Sequence, residues 1–158
     1  MIKLRPIEEN DNKIMGEIIQ KTLEKRALNL PGTAYFDPHL FQLHDYYEKI
    51  KHAYWVIVKN GEVIGGCGIG RFGQSETIGE LQKLYILDEE QGQGYAHLLI
   101  KKALAFAEEK YDACYIDTFA SLNKANSLYE KYGFLKLSEP LEGYEHNACD
   151  TWYLKSFD

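Results

Sequence analysis

The sequence predicts a mixed α/β fold, and three observations carry that prediction. An aromatic and β-branched run, "AYWVIVK", meets a second run through Asn60-Gly61, a pair suited to the positive φ of a two-residue hairpin turn. Further on, "IGELQKLYIL", "QGQGYAHLLIKKALAFAEEK" and "ACYIDTF" succeed one another as strand, helix and strand. The 158 residues suffice to bury a core without disulfide or metal staples, so a single domain over 1–158 is expected.

The elements follow in order. "IKLRPI" alternates as a strand, and "DNKIMGEIIQKTLEKR" then places Ile14, Ile18 and Leu23 near helical spacing behind an Asp/Asn start. "LNLPGTAYFDPHL" carries prolines and a glycine and reads as a long loop, with a short helix expected over Phe41 to Ile50. The hairpin comes next. Its second run contains "GGCGIG", Gly65 to Gly70, which has the outline of a dinucleotide fingerprint but follows a turn instead of opening a helix, so close strand packing is the expected reason for it.

After the strand–helix–strand unit, "SLNKANSLYEKYGF" repeats Leu122, Ala125, Tyr129 and Tyr132 at three- and four-residue steps, with Ser121 as the expected cap and Gly133 as the left-handed stop. "FLKL" and "CDTWYLK" close the chain as strands. The result is an antiparallel N-terminal half joined to a central strand–helix–strand unit.

Composition excludes several classes. A net charge of −6 disfavours a nucleic-acid binder, which needs a basic stripe to displace counterions from phosphate. The apolar runs are strand-sized and "MIKLRPIEENDNK" has no signal-peptide form, so no membrane association and a cytoplasmic location are expected. Cys67, Cys114 and Cys149 are odd in number and far apart, which predicts reduced thiols in or near the core. His146, Cys149 and Asp150 lack a second ligand pair, and no metal is expected.

"QGQGYA", Gln91 to Ala96, packs two glycines into the opening of an otherwise strong amphipathic helix. Glycine disfavours a helix interior by about 1 kcal/mol relative to alanine, so the opening serves another need. Glycine lets backbone N–H groups approach an anion, and a helix N-terminus adds roughly half a positive charge. The turn therefore reads as a diphosphate cradle; it lacks the GK[ST] ending of a nucleotide P-loop.

These residues resemble the GNAT acetyltransferases, whose Q/R-x-x-G-x-G/A signature matches Gln91, Gly94 and Ala96. The downstream "ANSLYEKYGF", Ala125 to Phe134, is similar to the family's second segment, A-x-x-L-Y-x-K-x-G-F. The resemblance covers most of the chain and comes nearest to a bacterial subgroup that shares the ELQK-x-Y strand. It implies a mixed, mostly antiparallel sheet flanked by helices and splayed by a bulge in the strand Glu80 to Leu87, with acetyl-CoA as cosubstrate in the gap. By the same resemblance the backbone of Leu84, Tyr85 and Ile86 would hold the pantetheine, and the N–H groups of Gln91, Gly92, Gln93, Gly94, Tyr95 and Ala96 the pyrophosphate. The family often has an asparagine seven residues before its tyrosine, where this chain has Leu122; Asn123 and Asn126 are the nearby substitutes.

Acetyl transfer to an amine needs a neutral amine and a proton for the leaving thiolate. A lysine-like amine with pKa about 10.4 is almost fully protonated at neutral pH, and freeing its lone pair costs about 4.6 kcal/mol, against about 1 for an α-amine. Glu80 is the candidate base, with Gln82 and Leu84 expected on its face by strand alternation; a strand-edge charge or a substrate-binding carboxylate is the competing role. Tyr129 is the candidate acid, matching the family tyrosine that faces the CoA sulfur, and it also falls on the apolar stripe of its helix as a core aromatic would. His39, His44, Tyr35, Tyr46 and Tyr47 fall in the segment that would line the acceptor side.

The leading expectation is direct attack by a small-molecule or peptide amine on acetyl-CoA, without a covalent enzyme intermediate. A non-catalytic acyl-CoA sensor is the alternative from another class, and an unrelated phosphate-binding α/β domain a third. An exposed terminal strand would offer an edge for a homodimer.

Overall fold

A computed structural model describes residues 1–143 and 148–158 of the chain. One seven-stranded sheet runs through it in the order β1-β2-β3-β4-β5-β7-β6. The strands are β1 (Ile2–Pro6), β2 (Ala53–Lys59), β3 (Glu62–Arg71), β4 (Ile78–Ile86), β5 (Ala113–Thr118), β6 (Leu135–Leu137) and β7 (Thr151–Ser156). Pairing is antiparallel except between β4 and β5, which α3 (Tyr95–Lys110) connects. α1 (Asn12–Lys25), α2 (Leu43–Tyr46) and α4 (Asn123–Lys131) complete the fold.

The sheet separates two cores. On one side Met15, Ile18, Ile19 and Leu23 of α1 pack with Leu43, Tyr54 and Val56. On the other, Leu99, Ile100, Ala103 and Ala107 of α3 pack with Ile57, Ile69, Leu81 and Ile116, joined by Tyr129 from α4. The hairpin turn is as expected: Asn60 has φ 51° and Gly61 φ 86°.

Four local expectations are corrected. The buried stripe of α1 starts at Met15, and Ile14 is exposed, because residues 15, 18, 19, 22 and 23 form the continuous 3.6-residue face. α2 is limited to Leu43–Tyr46 because Tyr47 leaves helical geometry and Lys51 takes φ 66° on the way to β2. Leu122, not Ser121, occupies the cap of α4, with no side-chain cap; the Asn126 side chain instead donates 2.9 Å to the Phe119 carbonyl. The terminal strand β7 lies between β5 and β6, so the edge on that side is the short β6 and not the chain terminus.

The expected bulge is present. Gly66 pairs with Tyr85 and Gly68 with Gln82, leaving Lys83 and Leu84 opposite Cys67 alone. Lys83 takes φ 52°, a left-handed geometry unusual for a residue with a Cβ. The β4–β5 pairing stops at Glu80↔Tyr115 although both strands continue, and the sheet parts at that point. No helix among the described residues is long and apolar enough to cross a membrane. His146 lies outside the described residues.

Candidate active site

Gly92 and Gly94 open the site with φ 83° and 85°, and a Cβ at either would meet no atom within 4 Å. Backbone geometry, not crowding, therefore calls for glycine there. The turn delivers the chain into α3, a helix long enough to present a positive N-terminal end. Beside it lies a cleft of about 630 Å³ whose walls include Leu84, Tyr85 and Ile86 of β4, Gln91 to Ala96 except Gln93, and Asn123 of α4. Gln93 and Asn126 do not line it. Asn126 is buried and turned to the Phe119 carbonyl, which makes it a structural residue of the α4 start.

The acidic run Asp88-Glu89-Glu90 next to this cradle would repel an anion, and basic groups offset it. Asp88 faces Arg26 at 3.3 Å and Lys25 at 3.5 Å, and Glu90 faces Lys59 at 2.8 Å. Arg26 and Lys124 also line the cleft.

Inward, the cleft shares Leu84, Tyr85, Leu122 and Ala125 with a narrow cavity of about 80 Å³ in the gap between β4 and β5. Glu80, Asp117, Tyr129 and Cys149 line its inner end. The structure thus brings both candidate catalytic residues to one cavity. Tyr129 is 5 % exposed and its hydroxyl has no hydrogen-bond partner among the described residues, whereas those of Tyr47, Tyr54, Tyr111 and Tyr153 are all committed. Burial pushes the Tyr129 phenol well up, which keeps it protonated.

Glu80 is 7 % exposed and accepts from the Gln82 side chain at 2.8 Å, and Gln82 in turn accepts from Tyr47 at 2.6 Å. Burial, reinforced by the neighbouring Asp117 carboxylate, holds Glu80 well above the ordinary glutamate range. The expectation that Leu84 shares its face fails at the bulge. Glu80 and Gln82 face Tyr47, while the extra residue turns Leu84 into the α3 core.

The bulge is held from two directions. Tyr54 donates 2.7 Å to the Lys83 carbonyl, and Lys83 Nζ meets Asp37 of the long loop at 2.7 Å in a nearly buried ion pair. The glycines of "GGCGIG" make this possible: a Cβ on Gly66 or Gly68 would come within 2.5 Å of the Tyr54 ring. Of the acceptor-side aromatics, Tyr47 reaches the Glu80 chain. His39 stacks on Tyr46 at 3.6 Å, Tyr35 bonds Glu24, and His44 sits 3.0 Å from both Asp45 and Glu48.

Sequence reasoning missed Asp117, Lys83 and Tyr54. Asp117 had a signal, a charged residue inside the apolar strand "ACYIDTF"; Lys83 and Tyr54 had none. Another groove, of about 450 Å³, lies against Ile7, Trp55 and Phe106, and it contains neither Glu80 nor Tyr129.

Comparison with known proteins bears on this geometry. A model of the acetyltransferase (GNAT) family matches residues 21–134. An uncharacterized N-acetyltransferase of Escherichia coli K12, YjgM, is 35% identical over 155 residues, covering 96% of this chain and 93% of that one. The crystal structure of a GNAT-family acetyltransferase from Staphylococcus aureus Mu50 superposes with TM-score 0.81 at 16% identity, over 100% of both chains. A putative acetyltransferase from Salmonella typhimurium, yncA, solved with its cofactor acetyl-CoA, gives TM-score 0.77 at 15% identity over 100% of this chain and 95% of that one.

Proposed function

Because the chain belongs to the GNAT acetyltransferase family, we propose that it transfers the acetyl group of acetyl-CoA to a primary amine by direct attack in a ternary complex. The observation that carries this reading is the continuous path from the glycine turn, between the parted strands β4 and β5, to Glu80 and Tyr129. Its wide outer part fits a cofactor arm, and its narrow inner end fits an acetyl group. The N–H groups of the Gln91 to Ala96 turn would hold the diphosphate, and the β4 backbone at Leu84, Tyr85 and Ile86 the pantetheine. The yncA structure with acetyl-CoA supports the ligand class.

Acetyl-CoA supplies the activated carbonyl. Glu80 takes a proton from the acceptor ammonium and so frees the amine lone pair. Tyr129, protonated at neutral pH, donates a hydrogen bond to the departing sulfur as it gains thiolate charge. No cysteine or serine is required as a nucleophile, and burial pushes the Cys149 thiol far up, out of its reactive thiolate form.

The experiment is a thermal melt with excess acetyl-CoA beside ATP and NADH, followed by CoA release over a panel of amines. Ligand at about 100 times its Kd adds about 2.7 kcal/mol, a shift of several degrees. A shift with acetyl-CoA alone and CoA release with an amine are expected. Equal shifts with ATP, or binding without turnover on any amine, would overturn the reading.

A further inference from the structure

We propose that Glu80 and Asp117 act as a two-carboxylate proton trap, in which the ionised pair takes one proton from the acceptor ammonium and holds it shared between the two side chains. This rests on the amine-acetylation reading above.

The sheet topology builds the pair. Glu80 stands opposite Tyr115 in the last rung of the parallel β4–β5 ladder, and Asp117 follows two residues on, on the same face of β5. Beyond that rung the strands part, so both carboxyls lie where the gap begins and line the same inner cavity, close enough for the Asp117 carboxylate to act on Glu80. Their surroundings are otherwise neutral or already paired. From β4, Gln82 donates to Glu80, and Lys83 is engaged by Asp37. Tyr115 of β5, Tyr47 just after α2, Tyr129 of α4 and Cys149 before β7 stand around the site, with Cys114 behind it on the other face of β5, and burial keeps each of them protonated.

The pairing addresses a specific difficulty. An ordinary glutamate with pKa about 4.3 is about a million-fold too weak to take a proton from an amine near 10.4. A second carboxylate in contact raises the affinity of the pair for its first proton, because like charges this close resist double ionisation. The N–C bond then forms as the C–S bond breaks. The first ammonium proton stays in the pair until product leaves and then passes to solvent; the second goes to the sulfur through Tyr129, whose own proton it replaces.

The test compares the pH dependence of kcat/KM for the wild type and Asp117→Asn from about pH 6 to about pH 9. The acidic limb should move to lower pH by about one unit and the plateau should fall about tenfold, while KM for acetyl-CoA stays within about twofold. An acidic limb at the wild-type position in an active Asp117→Asn enzyme would overturn the proposal. Infrared titration of the wild type gives a second reading that needs neither acetyl-CoA nor amine. A protonated-carboxyl band that persists well above about pH 4.3 and is lost in Glu80→Gln is expected. Complete ionisation in the ordinary range would overturn the trap even if CoA release proceeds, and the band would stand even if no amine is acetylated.

Discussion

The hydroxyl of Tyr54 donates a 2.7 Å hydrogen bond to the carbonyl of Lys83, the left-handed residue of the β4 bulge. One bond thus ties the second strand of the sheet to the point where the fourth one kinks. The kink is held by a phenol whose ring fits only because Gly66 and Gly68 lack side chains.

Tyr54→Phe should cost about 1–3 kcal/mol, since the buried Lys83 carbonyl loses its partner. Gly66→Ala should cost a similar amount by forcing the Tyr54 ring and the Trp55 carbonyl aside. Thermal melts measure both, and both variants should raise KM for acetyl-CoA. A Tyr54→Phe protein with unchanged stability and KM would show that the bulge stands without this bond.

Tyr129→Phe should lower kcat by about 10- to 100-fold with little change in KM or melting temperature. The thermal part follows from the hydroxyl having no partner among the described residues, so its removal orphans nothing. Steady-state kinetics beside a melt separate the effects. Unchanged kcat would reduce Tyr129 to a core aromatic.

Gly94→Ala should destabilise by about 1–2 kcal/mol because φ 85° is costly for an L-residue. The cleft-facing position should also raise KM for acetyl-CoA more than that of the amine. Calorimetric titration with acetyl-CoA reads the loss directly, and full affinity would remove the turn from the cradle.

The Lys83–Asp37 ion pair is nearly buried, so removing either partner should cost about 3 kcal/mol by leaving a charge uncompensated. Lys83→Met combined with Asp37→Asn should cost less than the sum of the single changes. Denaturant unfolding of the three variants closes the cycle, and simple additivity would mean that the pair is not coupled.

Glu80 has its folded pKa raised above the unfolded value by burial and by Asp117. The folded state therefore holds the proton longer: the stability contribution is complete below about pH 4.3 and is lost as pH rises through the folded value. Glu80→Gln cannot ionise, so relative to the wild type it should gain melting temperature as pH rises. A constant difference across the range would argue that Glu80 ionises normally.

Local rules account for the elements that can be read along the chain. The hairpin at Asn60-Gly61, the amphipathic helix from Tyr95 to Lys110, the glycine turn before it and the Tyr129 helix are each written within a few residues, in periodicity, turn chemistry and motif. The tertiary structure alone decided what depends on register between distant strands. A single extra residue opposite Cys67 sends Leu84 to the face opposite Glu80, and alternation read along "ELQKLY" cannot register it, because the bulge is specified by Tyr54 and Gly66 on neighbouring strands. The same holds for Asp117, which becomes Glu80's neighbour only because α3 returns the chain parallel to β4 and the ladder ends two residues short of it. Chain neighbours set the elements, while the relative positions of residues tens of places apart set the site, and those positions follow from packing two cores on one sheet.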